Sequence, residues 1–267
     1  MKKMFSKVYT GICFAFLYVP IAVLIVFSFN TSKGATWTGF TTKWYAELFR
    51  NEEIISSFVN TLIVALAASV FATILGTTAA FGMHGMKKFS KSTMRTITYI
   101  QILNPEIVTG ISLMLLFAYF KFSSGFLTLI LAHITFCVPT VVLSVLPKLR
   151  QMNVSLYEAA MDLGCNRFQA FTKVVIPEIM PGIVSGFLMA LTYSIDDFVI
   201  SYFTSGTTSQ TLPVVIYSMT KKQVTPTIYA LSTLMFVGVL AVLIIYNIVD
   251  MRFENEKKKA AGAARKA

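Results

Sequence analysis

The stretch SLYEAAMDLGCNRFQAFTKVVIPEIMP, residues 155–181, is polar but lies between two long apolar segments. Ser155 followed three residues later by Glu158 predicts a capping box that begins a helix. Gly164 predicts the left-handed end of that helix. One apolar stripe runs along the helix and needs a surface to cover it, and it consists of Leu156, Ala159, Ala160 and Leu163.

A second short helix is predicted directly after this turn. Asn166 with Gln169 repeats the capping pattern, and Pro177 is expected to end the helix because proline cannot donate a hydrogen bond. The stretch is therefore interpreted as a helical hairpin outside a membrane that docks on a partner.

The composition of the chain is that of a membrane protein. Of 267 residues, 55% are hydrophobic and only 13% are charged, so a soluble domain could not cover the apolar surface. The net charge of +11 is spread over loops and forms no basic stripe of the kind that binds nucleic acid. Cys13, Cys137 and Cys165 lack the spacing of a zinc site or a disulfide framework, and we expect them to be reduced.

Six apolar segments are expected to span a bilayer: about residues 8–29, about 58–83, a third that follows a basic loop ending at Arg95 and runs to about residue 120, about 126–146, about 182–203 and about 228–249. The first is too long for a cleaved signal peptide and should remain as a helix. In the second, small residues recur every fourth position and predict close helix packing: Ala68, Ala72, Gly76 and Ala80.

The predicted organisation has four parts. Residues 1–29 form a basic segment and the first span, and residues 30–57 form an extracytoplasmic connection that contains Trp37, Trp44 and Tyr45. Residues 58–250 form the core, which includes the hairpin at residues 148–181. Residues 251–267 form a charged cytoplasmic tail that is expected to be disordered.

Sidedness follows from the distribution of basic residues. If both termini and the hairpin are cytoplasmic, 17 of the 23 Lys and Arg residues lie inside. The hairpin then faces the compartment that contains ATP.

The chain lacks the motifs of an enzyme. No Gly-x4-Gly-Lys-[Ser/Thr] loop is present, and no hydrolase or metalloprotease motif occurs. The energy for transport is therefore expected to come from another polypeptide. No metal site is expected in this chain, and His133 is expected to be a hydrogen-bonded interior residue.

Three carboxylates, Glu106, Asp196 and Asp197, lie within predicted spans, where a charge costs about 2.5–3.5 kcal/mol. The helix around Asn104 is expected to be broken and to restart, with Asn104 as the N-cap, Pro105 as the first helical residue and Glu106 as an acid in the first turn. The Glu106 carboxylate either satisfies free N–H groups or contacts cargo. On a continuous helix Tyr193, Asp196 and Asp197 share one face, so that a ring lies beside two carboxylates. The two aspartates either attract a cation together with the tyrosine ring or bond to neighbouring helices.

The hairpin resembles the EAA loop of ABC importer permeases. Glu158-Ala159-Ala160 is followed after three residues by Gly164 and after nine more by Val174-x-Ile176-Pro177, where the family usually has Ile-x-Leu-Pro. The resemblance implies an all-α fold with six transmembrane helices, of the type I (MetI-like) class. It assigns ATPase coupling to Glu158, Ala159, Ala160, Asp162, Gly164 and Pro177.

Residues 194–201 and 133–139 resemble the permeases of spermidine/putrescine importers, and the likeness extends over about residues 8–249. It implies a bacterial inner-membrane subunit that pairs with a second permease, two ATPase subunits and an extracytoplasmic binding protein. It further implies that this chain binds no cofactor and that the ATPase uses ATP and Mg²⁺. Asp196, Asp197, Tyr193 and Glu106 would then line the polyamine pathway.

Other functions remain open on sequence alone. The same fold carries other solutes, a stand-alone secondary carrier or channel would explain the intramembrane acids, and a membrane enzyme is the third alternative.

Overall fold

The computed structural model describes residues 2–32, 36–222, 226–241 and 244, and these residues are almost entirely helical. The helices are α1 (Lys2–Phe27), α2 (Lys43–Leu48), α3 (Glu52–His84), α4 (Lys88–Leu103), α5 (Glu106–Tyr119), α6 (Phe126–Gln151), α7 (Val154–Asp162), α8 (Arg167–Ala170), α9 (Ile176–Asp196), α10 (Val199–Thr204), α11 (Leu212–Lys222) and α12 (Pro226–Ala241). A π-helical turn, Phe171–Val175, joins α8 to α9. The chain divides into two compact units, Ser56–Val215 and the remainder, Met1–Ile55 with Ile216–Ala267.

In the unit that contains the chain termini, the polar connection after α1 is ordered around Asn30. The Trp44 indole donates to the Asn30 carbonyl at 2.6 Å, and the Asn30 side chain accepts from the Thr38 backbone N–H at 2.9 Å. Trp44 is buried and Trp37 is half exposed. The predicted connection thus contains a short helix, α2, on a hydrogen-bonded turn.

In the other unit, α6 is the central helix. α3 and α9 both pack on Val141, where small residues permit close approach. A Cβ added at Gly76 would lie 2.6 Å from the Val141 Cβ, and one added at Gly186 would lie 3.2 Å from its Cγ1. The predicted role of the small-residue row in α3 is confirmed.

In the part of the chain that the structure describes, four helices are long and apolar enough to cross a membrane: Tyr9–Phe27, Glu52–His84, Phe126–Gln151 and Arg167–Asp196. The pair α4 and α5, bent by 99°, makes a fifth candidate if it acts as one span. The predicted sixth span, residues 228–249, includes α12 but extends outside the described residues, as does the tail 251–267. Six spans therefore remain a prediction.

The start of the hairpin differs from the prediction. Helix α7 begins at Val154, and its cap is Asn153, whose side chain accepts from the Ser155 N–H at 3.0 Å. The predicted helix start at Ser155 is wrong, because the preceding asparagine takes the capping position.

The rest of the hairpin is partly as predicted. Gly164 has the left-handed φ of +88°, and Asn166 and Gln169 form the predicted capping box. Pro177, however, does not end the helix. The π-helical turn precedes α9, and Pro177 then falls in the first turn of α9, where a missing donor is tolerated.

The predicted continuous span 182–203 is also wrong. Helix α9 ends at Asp196, and Asp197 is extended with ψ of 122°. The Asp197 carboxylate accepts from the backbone N–H groups of Ile200 at 3.3 Å and Ser201 at 2.7 Å. It thereby satisfies the free donors of a new short helix, α10, and the predicted shared face does not continue beyond Asp196.

Candidate functional site: an acidic cleft and an exposed hairpin

A cleft of about 390 Å³ lies between two interrupted helices of the unit Ser56–Val215. Its lining includes all four residues predicted for a substrate pathway: Glu106, Tyr193, Asp196 and Asp197. Residues 90 positions apart in the chain are thus brought to one opening, while their role in a substrate pathway stays a prediction.

One wall of the cleft is the break between α4 and α5. Asn104 ends α4 and Pro105 precedes α5, so the predicted broken helix is confirmed, although Pro105 rather than Asn104 is the capping residue. The Asn104 amide donates to the Thr109 hydroxyl at 2.9 Å and ties the two helices together. Glu106, the first residue of α5, is exposed and lines the cleft.

The opposite wall is the break between α9 and α10, where the two aspartates have different surroundings. Asp196 is exposed and lines the cleft at the end of α9, with Tyr193 one turn before it. Asp197 is 9% exposed, and its carboxylate oxygens are occupied by the backbone of α10. Of the pair, Asp196 is the one whose carboxylate is accessible to a solute.

Behind Asp197 lies a buried polar network centred on His133 of α6. Its Nδ1 lies 2.6 Å from the Ser194 hydroxyl of α9, and its Nε2 lies 3.0 Å from the Ser201 hydroxyl of α10. The same Nε2 is 3.5 Å from a carboxylate oxygen of Asp197. The prediction that His133 is a hydrogen-bonded interior residue is confirmed.

Sequence reasoning missed several residues that line the cleft: Gln101, Ile102, Asn104, Thr109, Phe136, Thr140, Phe198, Val199 and Ile200. Helical spacing could have identified three of them. Thr109 follows Glu106 by one turn, and Phe136 and Thr140 follow His133 at i+3 and i+7.

The hairpin presents an apolar surface. Glu158, Ala159 and Asp162 are exposed on α7, whereas Ala160 is buried. At the turn, Leu163 is 86% exposed and Phe168 is 74% exposed. Within the described residues, then, most of the predicted apolar stripe is uncovered, as expected for a docking surface.

Residues 72–255 match the family model described as "Binding-protein-dependent transport system inner membrane component". The chain belongs to this family. The permease has the all-α fold of the type I ABC importer permeases, and it is an integral membrane protein of a bacterial importer.

Two curated relatives are similar over most of the permease. It is 38% identical over 86% of its length to the "Spermidine/putrescine transport system permease protein PotC" of Escherichia coli strain K12, of which the match covers 88%. It is 39% identical over 87% of its length to the "Putrescine transport system permease protein PotI" of the same strain, of which 86% is covered.

A solved bacterial ABC transporter, involved in the import of the acidic polysaccharide alginate, has the same fold. The TM-score is 0.72 at 14% sequence identity, with 93% of the permease and 95% of that chain covered. At this identity the likeness concerns the fold alone.

Proposed function

We propose that the permease carries polyamines such as spermidine and putrescine into the cytoplasm, and that the cleft binds them on the way. The observation that carries this proposal is the convergence of Glu106, Asp196 and Tyr193 on one cleft from two separate helix breaks. A polyamine has ammonium groups separated by apolar methylene chains, so it needs several separated anionic or aromatic contacts.

The chemistry of the cleft suits such a cation. Among the described residues that line it, three are carboxylates and none is Lys or Arg. An ammonium group bound by Glu106 or Asp196 would neutralise a charge that is costly within a membrane. The half-exposed Tyr193 ring offers a face that attracts a cation by about 0.5–2 kcal/mol.

The relatives support the same substrate class. The names of both curated relatives specify polyamine transport, and the match covers most of each protein. The structural neighbour is involved in the import of an anionic polysaccharide, so the shared fold does not determine the solute.

The hairpin is proposed as the attachment point of a separate ATPase. Leu163 and Phe168 would insert into a cleft of the ATPase, while Glu158 and Asp162 lie at the margin. Because the π-helical turn leads directly into α9, movement of the hairpin would be passed to the helix that ends at Asp196. The cleft would then open alternately to the two sides.

The complete importer in this proposal has a second permease, two ATPase subunits that use ATP and Mg²⁺, and an extracytoplasmic binding protein that delivers the polyamine. The permease itself is non-catalytic and binds no cofactor. Both of its termini and the hairpin face the cytoplasm, in agreement with the 17 of 23 basic residues assigned to that side.

The substrate assignment is tested by uptake of labelled spermidine into vesicles that contain the complete importer. Replacing Glu106 by Gln and Asp196 by Asn should raise the half-saturation concentration by about tenfold or more, as expected for a lost charge contact of about 1.5–3 kcal/mol. Glu47→Gln, an exposed carboxylate on α2, is the matched control and should have no effect. Absence of spermidine and putrescine uptake by the unaltered importer would refute the assignment.

The docking assignment is tested with a photoreactive residue at Leu163. It should crosslink to the ATPase subunit, whereas the same residue at Phe40, which is 70% exposed and belongs to the connection predicted to be extracytoplasmic, should not. Crosslinking at Phe40 alone would refute both the sidedness and the coupling role.

A further inference from the structure

The two accessible carboxylates of the cleft are held by different helices. Asp196 ends α9 and Glu106 begins α5. The distance between them therefore depends on how the helices around the two breaks are held together.

α10 is packed directly against α5. A Cβ added at Gly110 of α5 would lie 2.9 Å from the Phe203 ring and 3.5 Å from the Ile200 Cα. At this separation α10 cannot shift towards α5 without displacing it. A displacement of α10 towards α5 would therefore also displace α5 and Glu106 at its start.

One buried side chain of α6 contacts both α9 and α10. His133, which is fully buried, contacts Ser194 on α9 with one ring nitrogen and Ser201 on α10 with the other, at 2.6 and 3.0 Å. Asp197, at the break itself, accepts from the backbone of α10 and lies 3.5 Å from the same histidine. The imidazole thus bridges the interruption between the two helices.

We propose that His133 is a positioning residue for substrate selection: it fixes the separation of the Asp196 and Glu106 carboxylates, and so selects among amines by the spacing of their charges. The inference rests on the proposed function, since it concerns the substrate of the same cleft. A rigid pair of anionic groups favours one spacing between ammonium groups, whereas a loose pair accepts several. His133 does not contact the substrate in this account, because it lies behind Asp197.

The test compares uptake of diamines of increasing chain length, together with spermidine, by importers with His133→Leu and with Cys137→Ala. Cys137 is equally buried on α6, one turn from His133, and contacts the Ala190 carbonyl of α9, so it controls for packing loss. The measured quantity is the half-saturation concentration for one diamine divided by that for a diamine of another chain length. In H133L this ratio should change by about tenfold, with a smaller change in the maximal rate of uptake. C137A should retain the wild-type ratio, and H133Q, which keeps a donor and an acceptor, should recover part of it.

A second measurement does not depend on the identity of the cargo. Spin labels at Met189 on α9 and Tyr202 on α10, both exposed, report the separation of the two helices in the assembled importer. The distance distribution should be narrow in the wild type and in C137A, and broader in H133L.

The outcomes separate the two proposals. If the unaltered importer takes up no polyamine, the proposed function fails, while the label distances still test His133. An unchanged distance distribution in H133L, or unchanged chain-length ratios in the presence of polyamine uptake, overturns the positioning role. If H133L does not assemble, Ser201→Ala is used in its place, because it removes the contact of His133 to α10 and leaves the contact of His133 to Ser194. Unchanged label distances or unchanged chain-length ratios in S201A would then overturn the positioning role.

Discussion

Replacing Gly164 tests the turn of the hairpin without disturbing its packing. The residue has φ of +88°, and a Cβ added there would meet nothing within 4 Å. The backbone N–H of Gly164 donates to the Met161 carbonyl and that of Cys165 to the Ala160 carbonyl, both at 3.0 Å. An alanine at this position would thus be strained only through its backbone conformation.

The expected cost follows from that geometry. A side chain in the left-handed region costs about 1–2 kcal/mol, which changes the population of the native turn by about 5–30-fold. Gly164→Ala should therefore lower uptake by up to that factor, and Gly164→Val should lower it further. Gly164→Asn should be milder, because asparagine tolerates this conformation.

The assay measures ATP-driven uptake by the complete importer together with the amount of ATPase that copurifies with it. Gly82→Ala is the matched control, since an added Cβ at Gly82 also meets nothing within 4 Å but the residue lies inside α3 without a positive φ. G82A should behave as the wild type. Undiminished uptake by G164V would refute the coupling role of this turn.

Three further changes have distinct expected results. Gly76→Ala should lower the free energy of unfolding by about 1–3 kcal/mol, because the new Cβ would lie 2.6 Å from the Val141 Cβ. The effect is measured as a lower melting temperature. A melting temperature equal to that of G82A would contradict the close packing at Gly76. Asp196→Asn should raise the half-saturation concentration for spermidine with the melting temperature unchanged, and a lowered melting temperature would count against its exposed position. Asp197→Ala should instead destabilise the protein by about 1–3 kcal/mol, because two backbone donors of α10 lose their acceptor; a wild-type melting temperature would argue against that role.

The features that sequence predicted well are those determined by local chemistry. Gly164 takes the left-handed conformation because it has no Cβ, Asn166 caps α8 through a residue three positions away, and the small residues of α3 permit close packing. Glu106, Asp196 and Asp197 could be singled out because ionisable groups within an apolar span require a reason to be there, and Tyr193 because it lies one turn before Asp196. All four line one cleft, and their role in a substrate pathway stays a prediction.

The features that sequence missed depend on contacts between distant segments. The break after Asp196 falls within a continuous apolar segment, and His133, which bridges it, contacts residues 61 and 68 positions later in the chain. The π-helical turn before Pro177 lies where the Phe171 ring packs on Phe81, with ring centroids 4.5 Å apart. Neither interaction leaves a periodic signal in the local sequence.

The central claim is that the exposed hairpin transmits work from a separate ATPase to an acidic cleft. The most direct measurement is spermidine accumulation in vesicles that contain either the complete importer or this permease alone, with ATP inside the vesicles or with an ion gradient in its place. The account predicts accumulation only with the complete importer and ATP. Accumulation by the permease alone under an ion gradient would contradict it and would favour a self-sufficient carrier.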